Sequence, residues 1–194
     1  MNELYPIFLK AHQLKVLIVG GGYVALEKLT FLLKSSPQAK VSLVSIDFIP
    51  EVLEKIETYK LNYTQKAYET SDLEGYIIVI GATNVEAVNE QIYNDAKAAN
   101  ILANIADNPP FCDFYMGGIV TKGNLKLAIS TNGKSPTMAK RLRQFFEQVL
   151  PDNIDQLLHN LNEYRKYLKG DFEYKVNHLN EVTESMIEEK SLTT

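Results

Sequence analysis

Between Lys15 and Asp107 short apolar runs alternate with segments of helical spacing, and few folds accommodate that alternation. Residues 15–20 (KVLIVG) form a β-branched run closed by glycine, and Val24 to Lys34 then place Ala25, Leu29, Leu32 and Leu33 at helical spacing. Residues 39–45 (AKVSLVS) follow a break at Pro37, and Pro50 opens the next helix, where a first turn tolerates it. A weaker strand lies near Leu61 to Gln65. Residues 75–83 (GYIIVIGAT) form an uninterrupted apolar strand of the kind buried on both faces of a parallel sheet. Thr83 and Glu86 stand at capping-box spacing before a further helix, and residues 101–107 (ILANIAD) are the fifth strand. The pattern predicts an α/β fold with a parallel sheet and right-handed crossovers.

Past Asp107 the pattern changes. Pro109 and Pro110 mark a loop, residues 117–131 alternate around Gly123-Asn124 as a hairpin, and Ser135-Pro136 open a helix as N-cap and first residue. That helix carries Met138, Leu142, Phe145, Phe146 and Val149 on one side. From Pro151 the spacing predicts two tail helices broken at Gly170, the second fraying into the final KSLTT.

The 194 residues, 45% of them hydrophobic, suffice for one good core and an appendage. A net charge of -4 offers no global field for nucleic acid or an anionic membrane. No apolar run approaches the 18 or so residues of a membrane helix, and the start lacks a leader pattern, so a soluble protein is expected. A single cysteine, Cys112, excludes an internal disulfide and fits a cytoplasmic location. His12, His159 and His178 have no metal-ligand spacing, so no metal site is expected.

Gly20-x-Gly22-x-x-Ala25 between strand and helix fits a dinucleotide cradle. Gly20 permits the tight turn, Gly22 admits the pyrophosphate, and Ala25 lets the helix lie close to the sheet. Asp47, past the tip of the second strand, can accept from ribose hydroxyls and repel a 2′-phosphate, which favours NAD over NADP; its other reading is a turn residue. Asp107 lies just beyond the fifth strand, where open parallel sheets place their ligands. An aspartate before Asn108-Pro109-Pro110 is also an ordinary turn former, and position alone favours that role. Lys134, Lys140, Arg141 and Arg143 make the most basic segment, with no acid from Lys134 to Arg143. It is either a solvated helix face or, with Lys134 at a glycine-loop mouth, a seat for a phosphate or polycarboxylate.

Residues 4–10 (LYPIFLK), 16–28 (VLIVGGGYVALEK), 81–92 (GATNVEAVNEQI), 103–114 (ANIADNPPFCDF) and 127–151 (LAISTNGKSPTMAKRLRQFFEQVLP) together resemble the precorrin-2 dehydrogenase family, the N-terminal module of siroheme synthases. With no methyltransferase segment after it, the chain resembles the stand-alone form. The resemblance implies a Rossmann-type domain over 1–113, a hairpin-helix dimerisation and substrate segment over 114–150, and a small helical domain over 151–194. It implies NAD-dependent conversion of precorrin-2, an octacarboxylate, to sirohydrochlorin by a homodimer. Asp107 is then catalytic. Gly20, Gly22, Tyr23, Val24, Ile46, Asp47 and Thr83 are cofactor contacts, and Asn104, Ser130, Thr131, Gly133, Lys134, Ser135 and Arg141 are substrate contacts. Departures at Glu27, Asn84 and Met116–Val120 touch neither Asp107 nor residues 133–136. Two other readings stay open: a bifunctional enzyme that also inserts iron into sirohydrochlorin, and a non-catalytic NAD sensor.

Overall fold

The computed structural model describes residues 2–184. The chain divides into two compact units. The first comprises the chain up to Ile119 together with Ala128–Arg141, and the second comprises Val120–Leu127 and the chain from Leu142 onward.

In the first unit β1 (Lys15–Val19), β2 (Lys40–Ser45), β3 (Asn62–Gln65), β4 (Ile78–Gly81) and β5 (Leu102–Ile105) form a parallel sheet of order β3-β2-β1-β4-β5. Helices α1 (Tyr23–Ser35), α2 (Pro50–Tyr59) and α3 (Glu86–Ala98) connect the strands. This is the Rossmann-type sheet the alternation predicts. Its inner strands are covered on both faces, which explains why β4, like β1, is apolar without interruption. Val16 and Ile18 face a core with Ala25, Leu29, Leu33, Leu43 and Val52, while Leu17 and Val19 face another with Val79, Ile92, Ala96 and Ile105. Each such fully buried aliphatic side chain stabilises the fold by about 1.5–3 kcal/mol. Leu29, fully buried in the first core, is expected to cost about 2–5 kcal/mol when changed to alanine. Urea unfolding measures it.

Two local expectations shift. The fourth strand is shorter than residues 75–83, because Gly75 turns at φ 77° and Ile77 remains half exposed. The capping box at Thr83 and Glu86 does not form. Helix α3 starts at Glu86 with Val85 as N-cap, and the Asn89 amide captures Thr83 instead, accepting from its hydroxyl at 2.8 Å and donating to its carbonyl at 2.9 Å. With both its hydroxyl and its carbonyl engaged by Asn89, Thr83 closes a local turn in place of the box.

The hairpin β6 (Gly118–Lys122) and β7 (Leu125–Ile129) turns at Gly123, φ 57°. Helix α4 (Pro136–Val149) starts as expected, the Ser135 hydroxyl accepting from the Met138 N–H at 3.1 Å. In the second unit α5 (Ile154–Tyr167) and α6 (Phe172–Thr183) are the two tail helices, broken at Gly170 with φ 133°. The fraying expected of KSLTT lies outside the described residues. Asp155 at the start of α5 buckles the hairpin turn: one carboxylate oxygen accepts from the Asn124 backbone at 2.6 Å and from its amide at 2.8 Å. Lys122 reaches the Leu150 carbonyl and Asp152.

The Asn124 backbone and side-chain donors hold the Asp155 carboxyl below its ordinary value, and the Lys122 ammonium does the same for Asp152. Depressed carboxylates contribute stability that is present above the unfolded-state pKa and is lost as pH falls through the folded one. Acidification below about pH 4 is therefore expected to loosen this unit, and Asp155→Asn to flatten the dependence, measured by circular-dichroism melting.

Candidate active site at the carboxyl ends of the strands

Chain reversal after β1 creates a cradle from backbone alone. Gly20 has φ 133°, and a methyl group there would collide with the Ala82 carbonyl oxygen; one at Gly21 would collide with the Asp47 carbonyl oxygen. Around Gly22 the space is open, with no described atom within 4 Å of an added methyl. Gly22 is the N-cap of α1, no side chain caps that helix, and no acid occupies its first turn. The amide donors and positive dipole end of a 13-residue helix thus face space that an anion can enter. A dinucleotide pyrophosphate fits this cradle. Gly21, which the spacing rule leaves unassigned, supplies close packing against the loop after β2; the unbroken run of three glycines was its signal.

Other expected cofactor residues surround this end of the sheet. Tyr23 and Val24 open α1 and are exposed, and Ile46 and Asp47 are exposed just past β2. An exposed isoleucine at 66% beside a carboxylate suits an adenosine, whose base is apolar on its faces and whose ribose carries donors. Gln65 lies at hydrogen-bond limit, 3.5 Å, from Asp47. Thr83 follows β4, its backbone next to Gly20 and its side chain committed to Asn89.

Asp107 lies two residues beyond β5 in the left-handed region, φ 58°. That conformation costs a non-glycine residue about 1–3 kcal/mol unless its surroundings enforce it, and aspartate tolerates it better than most. Its side chain is exposed and makes no hydrogen bond or ion pair with another described residue. The loop around it is closely tied. The chain returns antiparallel to β5, with Cys112 bridging Asn104 and the Asp113 N–H donating to the Ala103 carbonyl at 2.8 Å. Asp113 also accepts from the Ala103 N–H at 2.9 Å and pairs with Lys97 at 2.7 Å. Burial alone would raise the Asp113 carboxyl, but the Lys97 ammonium and the Ala103 N–H outweigh it and hold the group below its ordinary value. Phe111 stacks on Tyr93 of α3 at 4.7 Å.

Asn104 is buried, 5% exposed, and its amide donates to the Phe114 carbonyl at 2.8 Å. A direct substrate contact was expected there, but the side chain serves the protein's own loop. Burial pushes the Cys112 thiol up.

The remaining expected substrate residues form a turn of their own in the same unit. Asn132 and Gly133 adopt φ 53° and 73°, and the Thr131 hydroxyl accepts from the Ser135 N–H and donates to the Ser135 carbonyl. Ser130 accepts from the Asn132 N–H. Lys134 and Arg141 are exposed, the first at the turn and the second on α4.

Residues 7–118 match the model of a putative NAD(P)-binding family, more than half of the chain. The chain belongs to this NAD(P)-binding family. Residues 122–148 match the central segment of sirohaem biosynthesis proteins. The motif-level resemblance to a siroheme-biosynthesis family is borne out as a family assignment. Among curated relatives of this NAD(P)-binding chain, a siroheme synthase of Pseudoalteromonas translucida is 35% identical over 172 residues, 89% of this chain and 36% of the relative. One of Vesicomyosocius okutanii is 33% identical over 172 residues, again 36% of the relative. The chain thus spans about a third of the length of these relatives. A solved structure described as the precorrin-2 dehydrogenase SirC superposes with a TM-score of 0.75 at 24% identity, covering 94% of this chain and 91% of that one, and supports the fold. Among the described residues no helix is long and apolar enough to cross a membrane, and no group of three or more metal-ligating side chains occurs.

Proposed function

We propose that this protein is a cytoplasmic dehydrogenase that oxidises precorrin-2 to sirohydrochlorin with NAD. The observation that carries the reading is Asp107, an exposed carboxylate without a protein partner among the described residues, held left-handed at the carboxyl edge of a sheet whose Gly20–Gly22 loop presents an uncapped helix. Bound in that cradle, NAD supplies the hydride acceptor. The Gly22 backbone admits its pyrophosphate, the α1 N–H groups hold the charge, and Tyr23, Val24, Ile46, Asp47 and Thr83 border the rest. Asp107 takes the proton that leaves as the ring system gains its double bond, so hydride and proton together account for two electrons and two protons removed. Ser130, Thr131, Gly133, Lys134, Ser135 and Arg141 form the seat for substrate carboxylates, as their charge and the helix start behind them favour. An absorbance rise in the nicotinamide band on mixing protein, NAD and precorrin-2 is the expected result. Proven NAD binding without any rise would leave a sensor in its place.

Neutralising Lys134 and Arg141 together is expected to raise the KM for precorrin-2 about tenfold or more while the KM for NAD stays near wild type, because two charge-assisted contacts of roughly 1 kcal/mol or more each are removed. Unchanged constants would remove the anion seat from the mechanism.

The homodimer is part of the same proposal, with residues 114–150 as its contact segment. Met138, Phe145 and Val149 of α4 are each 53% exposed, a stripe of apolar surface on a helix with no buried residue. Light scattering should give twice the chain mass, and Phe145→Glu should return it to one.

A further inference from the structure

We propose that Cys112 and Asn104 are positioning residues for Asp107, acting through the two carbonyls that flank it. This rests on the reading of Asp107 as the base. The thiol of Cys112 lies 3.2 Å from the Ile105 carbonyl and 3.3 Å from the Asn108 carbonyl, one before and one after the left-handed residue. A single S–H cannot donate fully to both, so it is shared across the throat of the loop. Asn104 completes the clasp: its amide donates to the Cys112 sulfur at 3.4 Å and to the Phe114 carbonyl at 2.8 Å. The Asn108 N–H also returns to the Ile105 carbonyl at 3.2 Å, so the turn that carries Asp107 is tied at both of its arms.

A left-handed aspartate persists only where its surroundings over-determine it. Ala106 is held through its N–H, which donates to the Gly81 carbonyl at 2.9 Å, whereas Asp107 is exposed and Phe111 packs on Tyr93 of α3. The buried Asn104 amide and the Cys112 thiol supply a further constraint, at the two carbonyls on either side of the exposed residue. A near-attack geometry is sensitive to displacements of about 1 Å, for which a loss of around a hundredfold is ordinary. The clasp therefore acts on kcat without touching NAD.

Three variants of the full chain test it: Cys112→Val, which keeps volume and removes the donor; Cys112→Ser, which keeps a donor; and Asn104→Leu. Each is measured for kcat, for NAD affinity by fluorescence titration, and for hydrogen exchange in residues 105–113. The expected result for Cys112→Val is a kcat about ten- to a hundredfold lower, NAD affinity within a factor of about two, and faster exchange in the loop, with Cys112→Ser close to wild type in all three. Asn104→Leu should follow Cys112→Val; if it fails to fold, the cysteine pair decides. Wild-type kcat in Cys112→Val, whether or not exchange accelerates, overturns the proposal, as does a serine variant as slow as the valine one. A parallel fall of kcat and NAD affinity overturns it too, since that marks general loosening of the sheet. Asp107→Asn, assayed alongside, separates the two ideas: wild-type turnover there removes the base itself, whatever the clasp variants do.

Discussion

NADH production by Asp107→Ala is expected to fall by about 10²–10⁴-fold, the range a positioned general base contributes. NAD affinity should stay within a factor of about two, because no cradle contact involves that side chain. The reasoning is local. Asp107 is exposed, engages no described partner and lies outside the two cores, so its removal leaves no cavity and orphans no donor. Alanine is less at ease than aspartate at φ 58°, so a small loss of stability accompanies the change, on the order of 1 kcal/mol. Asp107→Asn keeps the turn and removes only the basicity, and it should be as inactive as alanine while melting like wild type. Single-turnover absorbance with saturating NAD makes the measurement. Turnover at the wild-type rate in either variant would falsify the assignment.

Gly22→Val should separate folding from cofactor binding. An added side chain at Gly22 meets no described atom, and its φ of -95° suits any residue, so the fold should melt as wild type does. The branched side chain would stand where the pyrophosphate must approach. NAD affinity is expected to fall about a hundredfold, close to 3 kcal/mol. Gly20→Val should do the opposite in order of cause. At φ 133° and with the Ala82 carbonyl in the way, the variant loses the β1–β4 junction itself, and NAD binding disappears only because the unit unfolds. Calorimetry for stability and titration for NAD distinguish the pair.

Most of the sheet was legible because two-sided burial writes itself as uninterrupted apolar runs: Val16 to Val19 and Ile78 to Ile80 have no polar side to show. The cradle was legible because glycine is a backbone instruction: Gly20 turns the chain at positive φ and Gly22 leaves open space before α1. Thr83 misled because a cap signal is local, whereas Asn89, three residues past Glu86, offered the better hydrogen bonds. The loop contacts of Asn104 were hidden for the opposite reason. Its side chain serves residues 112 and 114, and contacts made across a loop of that length leave no periodic trace. The Cys112 clasp was equally invisible, since a lone cysteine beside two prolines reads as loop composition.

The loop that carries Asp107 also lies along the outer rim of β5, where Cys112 and Asp113 pair with residues that would otherwise offer open hydrogen-bonding groups. An uncovered rim invites other chains to add themselves as strands. Substitutions that free this loop, in contrast to Asp107→Asn, should therefore surface first as poor yield and precipitation in expressing cells. Lost solubility, alongside lost turnover, is then a phenotype by which natural variation in residues 108–114 would be selected against.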